Sequence, residues 1–398
     1  MSNGLLQRLE IVMAHNLIQG VFWVSLAVLF YVYAGYPLLV LALAYLRPKK
    51  VKKASIMPTV TVLITAFNEE SSIAAKIENT LKLDYPAAKI EILVASDGST
   101  DRTDEIVKSF ASKGVKLFRQ EGRAGKTVTQ NNAVAEAAGE IVLFSDATTY
   151  YPTDVLQKLL PGFADETVGC VAGRLIYTDP TETNVGTGAR SYWNYETLLK
   201  NAESGACSLI GASGCLYAVR KTAYEPMYAA ACSDFLICTL LYRKGLRSVF
   251  EPQATCYETT NEQASDEMRM RVRVISQTFT DLWQNRDMLN PLRSGFYAIE
   301  LISHKLLRYC VPLLLLTAFV SNGVLAISSQ LFTVIFAFQT AFYLAAFFGW
   351  LLELTGKRTT LFVLPLYFVL TNIASVIAFF QFLRGEQYAA WEPIREAR

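Results

Sequence analysis

Small polar and acidic residues follow three apolar, β-branched segments in the first half of the chain. The segments occupy residues 59–66, 90–96 and 140–145, and their composition is typical of buried parallel strands. The candidate ligand-binding residues at these points are Thr65, Phe67, Asn68 and Glu69, then Asp97, then Asp146 and Thr148. Carboxylates in such positions accept hydrogen bonds from a nucleoside or bind a hard cation such as Mg²⁺ or Mn²⁺. Asp97 alone would fit a plain turn and helix cap, but three such strand ends favour a ligand site.

A lysine and a run of small residues add further candidates. Lys126 stands at the start of a predicted helix, where it would neutralise a diphosphate together with the helix dipole; a solvated surface lysine is the open alternative. The surrounding Gly-Lys-Thr is not a P-loop, because Gln120 stands where that motif has glycine. Ser213 and Gly214 lie in the run GASGC, whose small side chains let a bulky ligand approach the backbone.

One aspartate and two arginines complete the set of candidates. Asp234 opens a predicted helix, so it is either a catalytic carboxylate or a helix N-cap. Arg271 and Arg273 alternate with other residues near a predicted membrane segment, where they would clamp a phosphate or contact lipid headgroups.

The elements that must position these side chains alternate between strand and helix over about residues 57–258. Helical patterns over residues 69–83, 101–113 and 126–138 separate the apolar strand segments. This alternation predicts an α/β fold with an open, mostly parallel sheet and helices on both faces. Ligands of such sheets bind beyond the carboxyl ends of the strands, where the candidates above lie.

Four stretches without a charged residue flank this region: residues 17–46, 309–327, 331–352 and 359–383. Each is long enough for a membrane span, which needs roughly 20 apolar residues. The first stretch is too long for a signal peptide and has no cleavage site after it, so we expect an anchor. Basic residues follow at positions 47, 49, 50, 52 and 53, which predicts a cytosolic domain after them and contacts with anionic membrane lipids.

These features divide the chain into five predicted parts. Residues 1–53 form an anchor with its basic flank, and residues 54–260 form the cytosolic catalytic domain. Residues 261–305 form amphipathic interface helices, with residues 299–306 lying along the membrane surface. Residues 306–384 form the C-terminal transmembrane segments, and residues 385–398 a tail. We expect a multi-pass protein of the cell membrane; three spans after a cytosolic domain leave the side of the C-terminus and the span number open.

Composition argues against several other classes. A net charge of +2 gives no reason to expect a nucleic-acid partner. The seven cysteines show no zinc-ligand spacing, which favours reduced structural thiols. Both histidines lie in or beside predicted membrane segments, so a histidine-based mechanism is not expected.

The order of the motifs resembles glycosyltransferase family 2, in particular its membrane-bound hyaluronan, cellulose and poly-N-acetylglucosamine synthases. The motifs are TAFNEE, SDGSTDRT, GRAGKTVTQNNA, FSDATT, GASGCLYAVRK, CSDF and RMRVR, within about residues 57–285. The resemblance implies a GT-A-like sheet, a nucleotide-sugar donor, a divalent cation and a saccharide or lipid-linked acceptor.

The resemblance also implies roles for individual residues. The segment 65–69 and Asp97 would hold the nucleoside, with Asp97 reading uracil. Asp146 would begin the Asp-x-Asp metal motif beside the diphosphate, and Asp234 would deprotonate the acceptor hydroxyl. Arg273 would belong to the Gln-x-x-Arg-Trp motif near the diphosphate and acceptor.

This sequence departs from the family pattern at both motifs. Thr148 replaces the second carboxylate of Asp-x-Asp, so that position offers the metal only a hydroxyl. Val274 replaces the tryptophan that helps to hold the acceptor sugar in processive synthases, which makes single transfer credible. Trp391 loosely resembles the tryptophan of the segment that covers the nucleotide in some synthases.

The sequence thus predicts an inverting membrane glycosyltransferase that uses a nucleotide sugar, with UDP as the expected nucleotide. A membrane nucleotidyltransferase is one alternative, since its sheet and metal carboxylate would look similar. A transporter with a nucleotide-sensing domain is another, although the spans lack the central ionisable residues of a transport pathway. The sugar, acceptor, linkage and oligomeric state stay open.

Overall fold

The computed structural model describes residues 2–178, 184–259, 264–355 and 361–388 of the chain. One seven-stranded sheet lies at its centre. The strands are Val60–Ala66 (β1), Ile90–Ser96 (β2), Val115–Arg119 (β3), Ile141–Asp146 (β4), Val168–Thr178 (β5), Tyr217–Arg220 (β6) and Arg247–Thr259 (β7). Their order is β3-β2-β1-β4-β6-β5-β7, and β6 runs antiparallel to both of its neighbours while the other pairs are parallel. The expected mostly parallel sheet is confirmed.

Helices cover both faces of this sheet and extend beyond it. They are Ser2–Phe30 (α1), Tyr36–Leu46 (α2), Ile73–Leu81 (α3), Thr103–Ser109 (α4), Lys126–Glu136 (α5), Val155–Leu159 (α6), Asn184–Ala206 (α7), Ser233–Arg243 (α8), Ala264–Gln284 (α9), Pro291–Ser294 (α10), Phe296–Leu301 (α11), Leu307–Ala326 (α12), Gln330–Leu354 (α13) and Val363–Leu383 (α14). Two π-helical turns, Tyr31–Gly35 and Ile302–Leu306, join α1 to α2 and α11 to α12.

The strand β1 shows how the sequence produces the two-sided core. Val62 and Ile64 point to the face that α3, α4 and α6 cover, whereas Leu63 between them points to the face that α5 and α8 cover. All three side chains are fully buried. A strand that is buried on both faces has apolar residues on both of them instead of alternating with exposed polar ones, which explains the apolar run at residues 62–64.

Four helices among the described residues are long and apolar enough to cross a membrane: Glu10–Leu46, Phe296–Ala326, Gln330–Leu354 and Val363–Leu383. The shortest has 21 residues, and at 1.5 Å per residue it would span about 30 Å, the thickness of a hydrocarbon core. Of the four uncharged sequence stretches, residues 17–46, 309–326, 331–352 and 363–383 lie in these helices. Within the fold, α1 packs on α12, α2 on α7, and α14 on α9.

The structure differs from the sequence prediction at residues 299–306. This segment is not a separate helix on a membrane surface, because α11 continues through the π-helical turn into α12. Its polar side chains are the reason. Glu300, Ser303 and His304 are all buried, and His304 contacts two glutamates of α7. The polar face of the segment therefore meets protein.

Candidate active site

The carboxyl ends of β1, β2 and β4 lie side by side. Thr65 in β1 pairs with Asp146 in β4, and Ala66 pairs with Ser96 in β2. The loops after these strands are therefore neighbours, as the sequence predicted for strand ends of one parallel sheet.

Hydrogen bonds lock the first two of these loops together. The Asn68 side-chain oxygen accepts from the backbone N–H of Thr100 at 2.7 Å, and the Asn68 N–H donates to the Ser99 hydroxyl at 3.0 Å. Asn68 has a φ of 53°, a conformation that asparagine tolerates better than most residues. At Gly98, with a φ of 68°, a Cβ would lie 2.4 Å from the Gly122 carbonyl oxygen. Only glycine allows that approach, so the loops form a preorganised rim.

Asp97 lies fully buried below this rim. Its carboxylate accepts hydrogen bonds from the N–H groups of Ala124 and Gly125 at 2.8 and 3.0 Å and from the Thr129 hydroxyl at 2.8 Å. Asp97 thus fixes the loop that leads into α5. Its implied contact with uracil stays a prediction.

The other residues of the first loop have different surroundings. The Thr65 hydroxyl is buried and accepts from the Gln130 amide at 3.2 Å. The Phe67 ring lies under the Arg123 guanidinium, whose carbon is 4.1 Å from the ring centre. Glu69 lines the neighbouring cavity. A nucleoside-binding role for this loop stays a prediction.

A cavity of about 660 Å³ opens at the same edge of the sheet. It brings together most of the candidates from the sequence: Glu69, Lys126, Asp146, Thr148, Ser213, Gly214, Asp234, Arg271 and Arg273. Four candidates do not line it: Thr65 lies in β1, and Phe67, Asn68 and Asp97 lie in the adjoining loops. Trp391 lies outside the described residues.

Three charged groups converge at Gly214. A Cβ added to this glycine would lie 3.4 Å from the Asp234 Oδ2, 3.6 Å from the Lys126 Nζ and 3.8 Å from the Asp146 Oδ2. The absent side chain therefore leaves a space that two carboxylates and an ammonium group share. The alternative of Lys126 as a solvated surface residue does not hold.

Lys126 and Asp146 form an ion pair at this point. The Lys126 side chain is 25% exposed, and burial acts to lower its pKa. The Asp146 carboxylate outweighs burial, so the pKa of Lys126 rises above its ordinary value. The lysine therefore stays protonated and supplies a fixed positive charge to the cavity.

Asp234 is the second residue of α8. No side chain caps this helix, so the predicted alternative of Asp234 as an N-cap is wrong. Instead its Oδ1 accepts from the Cys232 thiol at 3.2 Å, and the carboxylate lines the cavity. The Asp234 carbonyl accepts from the Ala212 N–H at 2.9 Å, which holds the GASGC segment against the helix. The carboxylate thus lies at the positive end of the helix dipole.

The two candidate arginines of α9 differ in their contacts. Arg271 donates to the Glu267 carboxylate at 2.7 Å and to the Tyr367 hydroxyl of α14, so it ties α9 to a long apolar helix. Arg273 is half-buried and makes no hydrogen bond or ion pair with another described residue. Arg273 is therefore available to an anionic ligand, while Arg271 also has a structural role.

Glu258 is a cavity residue that the sequence analysis missed. Paired backbone hydrogen bonds between Tyr150 and Tyr257 bring the end of β7 beside the end of β4, and Glu258 accepts from the Thr148 hydroxyl at 3.4 Å. Burial of the Glu258 carboxyl and the nearby Asp146 carboxylate raise the pKa of Glu258 to about 7. Glu258 could have been recognised in the sequence as a carboxylate at the end of a strand, as Asp97 and Asp146 were.

A second missed group lies where the cavity meets the long helices. Glu196, Lys200 and Glu203 share one face of α7, and His304 lies 2.6 Å from Glu203 and 3.2 Å from Glu196. Arg308 of α12 also pairs with Glu196. Burial opposes ionisation of Glu196, but these cations hold its pKa well below the ordinary value. The i, i+4, i+7 spacing in α7 was the signal in the sequence.

Comparisons with known proteins agree with this architecture. The sequence profile described as Glycosyl transferase family 2 matches residues 61–227. A beta-monoglucosyldiacylglycerol synthase of Nostoc sp. is 32% identical over 140 residues, which cover 34% of this chain and 30% of that protein. An N-acetylglucosaminyltransferase of Rhizobium meliloti is 26% identical over 63% of this chain and 62% of that protein. This chain therefore spans less than two thirds of either relative.

One solved structure resembles nearly the whole chain. It is a mannosyltransferase from Pyrobaculum calidifontis in complex with GDP-Man and Mn²⁺, with a TM-score of 0.71 and 23% identity. The match covers 92% of this chain and all of that one, so the shared fold includes the long apolar helices as well as the sheet.

Proposed function

The chain carries a glycosyltransferase family 2 domain with a GT-A-like fold, and on that premise we propose that it is an inverting membrane glycosyltransferase. It transfers a sugar from a nucleotide sugar to a saccharide or lipid-linked acceptor. The observation that carries this proposal is the convergence of Asp234, Lys126 and Asp146 around Gly214. A base and a cation beside one open space are what a displacement at an anomeric carbon requires.

Asp234 acts as the base in this reaction. The acceptor hydroxyl attacks the anomeric carbon, the bond to the diphosphate breaks, and the hydroxyl proton passes to the Asp234 carboxylate. Lys126 and Arg273 offset the negative charge that grows on the departing diphosphate. One displacement inverts the anomeric configuration, and no covalent intermediate on the enzyme is needed.

Mg²⁺ or Mn²⁺ fits the donor set beside this space. Asp146, Glu258 and the Thr148 hydroxyl offer oxygen ligands. The pKa of Glu258 is raised first by burial and then by the nearby Asp146 carboxylate, and a cation would relieve the repulsion between the two carboxylates. Among the described residues no three acidic, histidine or cysteine side chains form a full cage. That suits a cation which takes its other ligands from substrate phosphates and water. When bound, it would stabilise charge on the leaving diphosphate.

The donor is a nucleoside diphosphate sugar, and we expect UDP as the nucleotide because the TAFNEE and SDGSTDRT motifs resemble those of UDP-sugar synthases. The mannosyltransferase of similar fold was solved with GDP-Man, so GDP-mannose belongs in any donor screen. The acceptor enters from the side of the long helices, because the cavity continues between α7, α12 and α14. We place catalysis at the cytosolic face of the cell membrane, next to membrane lipids, because basic residues follow the first apolar helix.

A donor screen tests the proposal. Membranes that contain the protein are incubated with UDP-glucose, UDP-N-acetylglucosamine, UDP-galactose, GDP-mannose and Mn²⁺, and the released nucleotide is identified. We expect release of a nucleoside diphosphate from one donor. A parallel incubation with nucleoside triphosphates and sugar 1-phosphates tests the alternative, because release of pyrophosphate there would identify a nucleotidyltransferase. A protein that binds nucleotide without any turnover would fit a transporter with a sensing domain.

A further inference from the structure

The cavity continues well past Asp234, toward the long apolar helices. Its far part is lined by Tyr192 of α7, Lys305 and Arg308 near the start of α12, and Phe368 and Asn372 of α14. The catalytic space and the apolar helices therefore share one continuous opening.

An apolar groove of about 210 Å³ adjoins this far part. It lies between Leu315, Leu316 and Phe319 of α12 and Val369, Ile373 and Val376 of α14. Phe368 and Asn372 line both the groove and the cavity, so the two adjoin. We call this space the apolar groove.

One face of a single helix runs from the catalytic space to the groove. Lys305, Tyr309, Pro312, Leu316 and Phe319 follow each other at intervals of three or four residues, which places them on one side of the helix. The Lys305 Nζ lies 5.8 Å from the ring centre of Phe235, the residue after Asp234. Pro312, which also lines the groove, is seven residues further on, so the groove begins on the order of 10 Å from Lys305.

Lys305 is a half-buried cation that forms no ion pair with another described residue. The carboxylate that acts on it electrostatically, Glu196, already pairs with His304 and Arg308. The neighbours of Lys305 are satisfied: Arg308 pairs with Glu196, and Lys200 donates to the Ser213 hydroxyl at 2.7 Å. Removing a charge from water without a partner is costly, so a site of this kind favours an anionic ligand. Three features thus follow one another along the opening: the Asp234 base, the Lys305 cation and the apolar groove.

Resting on the proposed function, we propose that the acceptor is a phosphate-bearing lipid that carries a saccharide. Its apolar chain lies in the apolar groove, its phosphate binds Lys305, and a sugar hydroxyl reaches Asp234. The order of the groups in such a molecule, from chain to phosphate to hydroxyl, matches the order of the three features. A neutral lipid such as diacylglycerol would leave Lys305 without a counterion.

Binding to the full-length protein in nanodiscs tests this proposal without any turnover. The probes are farnesyl phosphate, farnesol, inorganic phosphate and diacylglycerol. We expect farnesyl phosphate to bind at least about tenfold more tightly than the other three, because it alone combines a chain with a charge-assisted contact. Lys305→Gln removes the preference for farnesyl phosphate over farnesol. Equal binding of farnesol, or tighter binding of diacylglycerol, would overturn the proposal.

Two matched substitutions on α14 test the groove. Ile373 lines it and Ile377 does not, and their exposed fractions are 46% and 39%. We expect Ile373→Trp to weaken farnesyl phosphate at least about tenfold by filling the groove, and Ile377→Trp to change it less than about twofold. Equal effects of both would overturn the placement of the chain. Nucleotide-sugar binding, measured on the same samples, distinguishes failure of the proposed function from failure of this inference. If the wild type does not bind a nucleotide sugar, the proposed function is refuted. If it binds one but shows no preference for farnesyl phosphate, this inference alone is refuted.

Discussion

Gly214→Ala is the most specific perturbation that the geometry suggests. The new methyl group would lie 3.4–3.8 Å from the Asp234, Lys126 and Asp146 side chains, which is ordinary van der Waals contact. Gly214 is not among the described glycines with positive φ, so alanine fits its backbone. Such a replacement leaves a fold unchanged or stabilises it by about 0.4–1 kcal/mol. The substitution therefore changes the catalytic space without unfolding the protein.

We expect Gly214→Ala to slow sugar transfer and to leave the stability of the fold unchanged. A methyl group at this point occupies the space where the anomeric carbon would lie between base and cation, and it displaces the substrate by about 1 Å or more, which costs on the order of 100-fold in rate. That factor corresponds to about 2.7 kcal/mol in the activation barrier. The assay is kcat/KM for sugar transfer together with Tm.

Gly20→Ala is the matched control, because nothing lies within 4 Å of a Cβ added there. We expect this variant to retain wild-type activity. Unchanged activity in Gly214→Ala, with unchanged Tm, would show that the reacting atoms do not pass through the space around Gly214. A large loss of Tm in Gly214→Ala would refute the structural premise that the methyl group fits.

Three further predictions concern the metal, the pH dependence and the product. Asp146→Ala should raise the Mn²⁺ concentration for half-maximal activity at least about tenfold, as losing a ligand does; wild-type activity in excess chelator would contradict a metal requirement. Because the pKa of Glu258 is raised to about 7 in the folded protein, the folded state holds a proton that the unfolded chain releases, so metal-free stability should fall as the pH rises from about 5 to 7. Glu258→Gln should flatten that part of the Tm curve, and parallel curves for the two proteins would contradict the assignment. Since Val274 offers little flat surface to a sugar, products under limiting enzyme and excess donor should be single additions or short chains; early long polymer would show that other groups, such as Tyr192 or Trp193, retain the chain.

The sequence predicted those parts of the fold that local patterns determine. The apolar residues 62–64 of β1 are typical of a buried strand. The uncharged stretches now found in α12, α13 and α14 are typical of helices that cross a membrane. The Asp146 strand end and the Asp234 helix start were found for the same reason, since each lies where a local element begins or ends.

Residues that depend on long-range pairing were missed. Glu258 reaches Asp146 only because Tyr257 pairs with Tyr150 outside the regular register of β7, which no local pattern reveals. His304 was set aside as a membrane-adjacent residue, because its partners Glu196 and Glu203 come about 100 positions earlier and only packing of α7 against the start of α12 joins them. The wrong helix boundary at residues 299–306 has the same origin.

The most direct test of the account is Asp234→Asn, measured for sugar transfer and for nucleotide-sugar binding on the same membranes. The amide keeps the shape of the side chain but does not accept the acceptor's proton, so transfer should fall by about 10²–10⁴-fold. The dissociation constant for the nucleotide sugar should change less than about twofold, because the base acts only in the transition state. Transfer at near wild-type rate would contradict Asp234 as the base, and loss of binding equal to the loss of transfer would assign it to donor binding instead.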